Sequence, residues 1–130
     1  MKRIVAFTLM LILVLACLSP ALAATAQLSA ASHGGFTRSA SVTKTVTGHP
    51  SVSLSSLTNL DENLTVGVAV VYANGNYATG FCYKDSTGTC PLYYSPSSGA
   101  SDAVGSAFSV AFSANSAQSR TVSAIISWRP

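Results

Sequence analysis

The feature that most constrains the fold is a two-residue apolar alternation on either side of an Asn-Gly dipeptide. Apart from Thr79, large side chains stand at every second position over residues 64–72 and again over residues 77–83. This period places alternate side chains on opposite faces of a strand, and Asn74-Gly75 favours a two-residue type I′ turn. We expect the large residues to share one face that lies in the core, with the cross-strand pairs Tyr72 with Tyr77, Val70 with Thr79, Val68 with Phe81, and Val66 with Tyr83.

Similar alternation elsewhere indicates about seven short strands. Residues 107–114 and 121–128 read as a second amphipathic hairpin, residues 40–47 and 51–54 as two further strands, and residues 92–94 as an edge strand between two prolines. Apolar residues do not recur with the 3.6-residue period of a helix. The pattern therefore predicts an all-β fold: a small single-domain antiparallel β-sandwich, Ig-like or jelly-roll-like, or a partly closed barrel.

The first 23 residues predict the compartment. A basic start at Met1-Lys2-Arg3 precedes an apolar run of about 15 residues, and Ala21-Leu22-Ala23 fits the small-x-small pattern that signal peptidase recognises. The run is shorter than the ~20 residues that a membrane-spanning helix needs. We therefore expect a cleaved signal peptide, no transmembrane segment, and a secreted, extracellular or periplasmic protein.

The remaining chain is expected to hold one domain. The predicted organisation is a signal peptide over residues 1–23, a flexible lead-in over residues 24–35 and a β-sandwich domain over residues 36–130. Two other processing sites stay open. Cleavage after Ala26 would shorten only the lead-in, whereas Leu15-Ala16-Cys17 resembles the end of a lipobox, in which Cys17 is lipidated and anchors the protein to a membrane.

Charge excludes one class of partner and suggests another. Loss of Lys2 and Arg3 with the signal peptide leaves five basic and four acidic residues, which are scattered along the chain. Nucleic acids require clustered Lys and Arg, so we do not expect nucleic-acid binding. The two predicted strands between Ser106 and Trp128 carry no charge, and uncharged strand edges favour pairing with another chain. This segment is therefore a candidate for self-association.

Two cysteines remain in the exported chain, Cys82 and Cys90, and an oxidising compartment favours a disulfide between them. No metal site is expected, because only His33 and His49 are available to complete one. The nine-residue ring that the bond would close, with Lys84 as its third residue, resembles the reactive loop of Bowman-Birk protease inhibitors. The resemblance covers these nine residues only, and it implies that Lys84 is presented to a trypsin-like pocket.

The other candidate binding residues are aromatic. Tyr93, Tyr94 and Trp128, if exposed together, would form a platform for a carbohydrate or a protein at the cell surface. Catalytic patterns and cofactor motifs are missing from the sequence, so no enzyme activity and no cofactor are expected. The sequence thus predicts a secreted, non-catalytic domain that acts in binding or assembly.

Two alternatives stay open beside the inhibitor. A membrane-active toxin or bacteriocin-like protein is suggested by the two uncharged amphipathic hairpins, because their strands are about as long as those that cross a bilayer. A small secreted hydrolase would need His33 or His49 to meet a carboxylate and a serine. Dye release from liposomes distinguishes the first, and the surroundings of the histidines distinguish the second.

Overall fold

The computed structural model describes residues 23–31, 35–62, 64–115 and 121–130. The predicted signal peptide up to residue 22, the lipidation alternative at Cys17, and His33 lie outside these ranges. The described chain forms strands and one 3-10 turn at Pro96–Ser98, without an α-helix. The strands are β1 (Ala24–Ala31), β2 (Thr37–Arg38), β3 (Val42–Thr43), β4 (Ser51–Thr58), β5 (Thr65–Tyr72), β6 (Cys82–Lys84), β7 (Gly88–Cys90), β8 (Ala107–Asn115) and β9 (Thr121–Arg129).

The strands form two antiparallel sheets packed as a sandwich, which confirms the predicted fold class. One sheet has the order β1-β9-β4-β7, and the other has the order β2-β8-β5-β6, with β3 also paired to β8. From β3 onward every connection except the one between β5 and β6 passes from one sheet to the other. Consecutive strands therefore contribute to opposite layers of the core.

The core lies between the two sheets and is built by alternate residues of the longest strands. In β9, for example, Val122, Ala124, Ile126 and Trp128 are buried while their neighbours face outward. Trp128 is the largest of these side chains and is only 1% exposed. The opposite sheet supplies the matching layer, chiefly Val66, Val68, Val70, Phe108, Val110 and Phe112.

The sandwich begins earlier than the sequence predicts. Residues 24–31, interpreted above as part of a flexible lead-in, form β1 and pair with β9 from Ala24 opposite Trp128 to Ala31 opposite Thr121. Leu28 and Ala30 of this strand are buried. The prediction is wrong here because the inward-facing residues are mostly alanines, which give a weak alternation signal.

The predicted second hairpin does not form. β8 and β9 lie in different sheets, where β8 pairs with β5 and with β2 and β3, and β9 pairs with β1 and β4. Both strands therefore have partners on both sides. This arrangement leaves little of either strand at a sheet edge in the described part of the chain, and self-association through this segment stays a prediction.

The first hairpin forms, but with a different turn and register. The Gly75 amide donates to the Tyr72 carbonyl at 2.8 Å, and the Tyr72 amide donates to the Asn76 carbonyl at 2.8 Å. Of the two central residues in the predicted turn, only Gly75 has a positive φ, at 91°. This is a three-residue loop with glycine in the left-handed position, not a type I′ turn.

The extra loop residue moves the register by one position. Near the loop, Tyr77 pairs with Val71 instead of Tyr72. The Val70 carbonyl then accepts the amides of both Ala78 and Thr79, and beyond this irregularity the register has moved by two residues in the opposite direction, so Tyr83 pairs with Gly67 instead of Val66. Each tyrosine is thus one position away from its predicted partner. Because side chains alternate across a strand, a shift of one residue changes the face on which every side chain lies. Tyr77 and Tyr83 therefore lie on the outer face of the sheet, opposite the valines of the core, and the prediction that they are core residues is wrong.

Candidate functional site

The outer face of the β5–β8 pair is made of small residues. Gly67, Ala69 and Val71 pair with Ser113, Ala111 and Ser109, while the residues between them face the core. Although this face points away from the core, Ala69, Val71 and Ala111 are at most 1% exposed. A second layer of side chains therefore covers it.

That layer is a contiguous set of four aromatic rings, Phe36, Tyr77, Phe81 and Tyr83, which we name the aromatic strip. The Phe81 ring is central: its centroid lies 5.2 Å from that of Phe36, 5.1 Å from that of Tyr77 and 5.8 Å from that of Tyr83. Phe36 and Tyr77 also meet edge to face at 5.7 Å. The outer surfaces of the rings remain accessible, with exposed fractions of 51% for Phe36, 47% for Tyr77 and 63% for Tyr83.

Gly67 allows two of these rings to lie close to the sheet. A Cβ at this position would stand 3.2 Å from Phe81 Cδ1, 3.2 Å from Tyr83 Cε1 and 2.8 Å from Ser113 Oγ. Distances this short are tighter than ordinary van der Waals contact, so any larger residue would force the rings or Ser113 to move. The absence of a side chain at Gly67 thus lets the Phe81 and Tyr83 rings lie closer to the sheet.

A polar groove of about 320 Å³ adjoins the strip at Phe36 and Tyr77. Its polar walls are Arg38 on β2 and the two asparagines of the hairpin loop, Asn74 and Asn76. The Asn74 side-chain oxygen accepts the Asn76 backbone amide at 2.9 Å, which fixes the loop while leaving the amide nitrogen of the Asn74 side chain available. Hydrogen-bonding groups therefore stand directly beside exposed aromatic rings.

The sequence does not single out Phe36 and Arg38. Phe36 follows Gly35 at the end of the segment interpreted as a lead-in, and Arg38 lies in a strand of only two residues. The available signal was an isolated phenylalanine in a stretch rich in Ser, Thr and Ala. An apolar residue without an alternating partner is a candidate for exposure, but a single residue cannot reveal which surface it joins.

The predicted platform of Tyr93, Tyr94 and Trp128 is not assembled. Tyr94 and Trp128 are core residues, 3% and 1% exposed, whereas Tyr93 is 66% exposed and touches the His49 ring edge to face at 5.2 Å. Burial raises the pKa of Tyr94, with a smaller contribution from Tyr72. Of the three, only Tyr93 is accessible, and it stands outside the aromatic strip.

Lys44 covers the buried Tyr94 ring. Its ammonium lies 4.7 Å from the ring centroid and donates to the Gly48 carbonyl at 2.7 Å, and the side chain is 1% exposed. Burial lowers the pKa of Lys44; Arg129 lowers it further, while Asp102 acts in the opposite direction. These contacts close one end of the core and keep the ammonium away from solvent.

Lys84 and the two cysteines lie where the chain crosses between the sheets. Lys84 pairs with Val66 within β6, and its Nζ folds to 3.6 Å from where a Cβ of Gly88 would stand. Lys84 is therefore a partly buried residue of a paired strand, and its presentation to a trypsin-like pocket stays a prediction. Cys82 and Cys90 are free thiols, so the predicted disulfide is not formed in the structure.

The two thiols are nevertheless neighbours. The pKa of Cys90 is raised to about 12, first by burial and then by the neighbouring Cys82 thiol, while Lys84 acts in the opposite direction. Cys82 lies on β6 of one sheet and Cys90 on β7 of the other. A bond between them would join the two layers of the sandwich directly.

His49 has a structural contact. Its Nδ1 accepts the Tyr94 backbone amide at 3.2 Å, so this nitrogen is occupied and cannot orient toward a carboxylate. In the described ranges, no group of three or more His, Cys, Asp or Glu side chains is placed to hold a metal ion. Nor does any helix in the described part of the chain reach the length and apolar character needed to cross a membrane.

No protein-family model, curated protein or solved structure matches this chain. Function must therefore be inferred from the geometry of the surface itself. The aromatic strip with its polar groove is the surface on which exposed rings and hydrogen-bonding side chains converge.

Proposed function

We propose that this chain is an exported, non-catalytic β-sandwich that binds carbohydrate at or outside the cell surface through the aromatic strip. The observation that carries the proposal is the continuity of four aromatic rings on the outer face of one sheet, three of them about half exposed or more. Large contiguous apolar patches are uncommon on the surface of small soluble domains, and those that occur often mark a binding site.

The chemistry of the strip suits a sugar. A pyranose ring has faces of C–H groups that pack on aromatic rings, and a rim of hydroxyls that need hydrogen-bond partners. The rings of Phe36 and Tyr77 supply the apolar surface, and the side-chain amides of Asn74 and Asn76 in the adjoining groove supply the polar partners. Rings that are packed against one another and against a sheet lose little entropy when a ligand binds.

The size of the strip also favours a sugar over a protein. An aromatic side chain has roughly 150 to 250 Å² of surface, so three rings about half exposed present on the order of 300 Å². A standard protein interface buries about 800 Å² on each partner. The strip matches a short segment of an oligosaccharide better than a protein surface of ordinary size.

Affinity electrophoresis and calorimetry with a panel of polysaccharides test the proposal. The panel contains a neutral β-glucan, chitin oligomers, and oligogalacturonate in its acid and methyl-ester forms. Tyr83→Ala should weaken binding by about tenfold or more, because truncating an aromatic anchor typically costs at least 1 to 2 kcal/mol. Tyr93→Ala is the matched control, since it removes an equally exposed tyrosine outside the strip.

Two results would contradict the proposal. The first is that no polysaccharide in the panel binds to the folded protein. The second is that Tyr93→Ala weakens binding as much as Tyr83→Ala, which would place the site away from the strip.

We also propose that Cys82 and Cys90 are joined after export. The support is that the two thiols lie close enough for Cys82 to raise the pKa of Cys90, together with the predicted secretory route. An external thiol–disulfide oxidoreductase in its disulfide form would accept the two electrons, and the two thiols would release their protons as the sulfur–sulfur bond forms. The bond would restrain the strand that carries Tyr83, and with it one end of the strip.

A further inference from the structure

We propose that the saccharide bound by the aromatic strip carries a carboxylate and that Arg38 binds it, an inference that rests on the proposed function. The ligand class is thus an acidic glycan, built from a uronic acid or a related carboxylated sugar. The inference depends on the position and surroundings of one guanidinium group.

The Arg38 guanidinium lies across the hairpin loop at the edge of the strip. Its Nη1, Cζ and Nη2 atoms lie 2.8, 3.6 and 3.8 Å from the position that a Cβ of residue 75 would occupy. A side chain at residue 75 would displace the guanidinium from this position, and Gly75 is also the residue that the loop needs at positive φ. One glycine therefore shapes the turn and makes space for the cation.

The charge of Arg38 has no counterpart nearby. The groove is lined by apolar, amide and glycine residues besides Arg38, and no acidic side chain faces it. In the part of the chain that the structure describes, the Arg38 guanidinium makes no ion pair and no hydrogen bond. Its donors are free to form the paired N–H···O bonds that a guanidinium makes with a carboxylate.

The residues that line the groove can contact a single sugar together. Phe36 and Tyr77 line the same groove as Arg38, so a sugar ring stacked on either aromatic side chain brings its substituents next to the guanidinium. The hydroxyls of that sugar would meet the amides of Asn74 and Asn76. A neutral sugar would use the rings and amides but leave the cation without a partner.

Calorimetry with oligogalacturonate and its methyl ester tests the inference, because the two ligands share a backbone and differ only in charge. The wild-type protein should bind the acid at least tenfold more tightly than the ester, and the preference should shrink as salt is added. Arg38→Gln should abolish most of this preference while changing affinity for the ester by less than about twofold. Arg129→Gln, which removes an exposed cation from the other sheet, is the matched control.

Each outcome has a defined consequence. Equal affinity of the wild-type protein for the acid and the ester would overturn the inference and leave the proposed function standing. So would an Arg38→Gln variant that loses affinity for both ligands equally. Failure of every polysaccharide to bind would overturn both proposals.

Discussion

Replacing Gly67 with alanine tests whether the aromatic strip lies on the sheet as described. Glycine in a strand is less favourable than alanine by about 0.5 to 1 kcal/mol, so backbone entropy alone predicts that Gly67→Ala stabilises the protein. Packing predicts the opposite, because the new methyl group would stand 2.8 Å from Ser113 Oγ and 3.2 Å from atoms of Phe81 and Tyr83. Overpacking of this kind costs about 1 to 3 kcal/mol, so we expect a net loss of roughly 0.5 to 2 kcal/mol.

Urea denaturation shows directly whether Gly67→Ala raises or lowers the free energy of unfolding. Trp128 is the single tryptophan and is buried in the core, so its fluorescence reports unfolding without a label. Gly67→Ala should lower the urea midpoint, and the loss should become smaller in a Tyr83→Ala background, where one of the crowded rings is gone. A Gly67→Ala variant that is as stable as the wild type, or more stable, would show that the rings do not rest on Gly67.

Three further predictions concern the connections and the buried cation. Oxidation of Cys82 and Cys90 should raise the free energy of unfolding by about 2.5 kcal/mol, the chain-entropy value for a loop of about nine residues; equal urea midpoints with and without reductant would contradict it. Gly75→Ala should lower the free energy of unfolding by about 1 to 2 kcal/mol, because the φ of 91° at this position is unfavourable for alanine. Asn74→Ala should lower it clearly less. Equal losses of stability in the two variants would refute the three-residue loop. Because burial lowers the pKa of Lys44 below its ordinary value of 10.5, the unfolded state binds more protons than the folded state at pH values just below 10.5. Wild-type stability relative to Lys44→Met should therefore rise as the pH is raised toward 10.5, and a constant difference would disprove it.

The sequence predicted the fold class because alternation survives wherever large residues build the inner face. It failed at β1, where alanines carry the pattern, and it misassigned the first hairpin for a different reason. Asn74-Gly75 suits a two-residue turn, but a glycine at positive φ also suits a three-residue loop. The two possibilities differ by one residue in register, and that residue decides whether Tyr77 and Tyr83 face the core or the solvent.

The error in register explains the error in the candidate site. When Tyr77 and Tyr83 are assigned to the core, the remaining candidates for an exposed aromatic platform are Tyr93, Tyr94 and Trp128. Trp128 continues the alternation of Val122, Ala124 and Ile126, and this pattern was a signal that it belongs inside. Phe36 and its ring contacts could not be foreseen, since they depend on how a short coil crosses a sheet formed much later in the chain.

The absence of charge over residues 107–115 of β8 and 121–128 of β9 shows that one sequence feature can have two physical causes. A strand without charge is either an unprotected edge or a central strand whose backbone is already paired on both sides, and here it is the second. The true edges are protected in other ways: β6 and β7 have only three residues each, and Pro91 follows β7. At the remaining long edge, β1, the Thr37 hydroxyl donates to the Ser29 carbonyl at 2.6 Å and so satisfies one acceptor of that strand. Strand length and position in the sheet, which the sequence does not encode locally, therefore decide what an uncharged strand means.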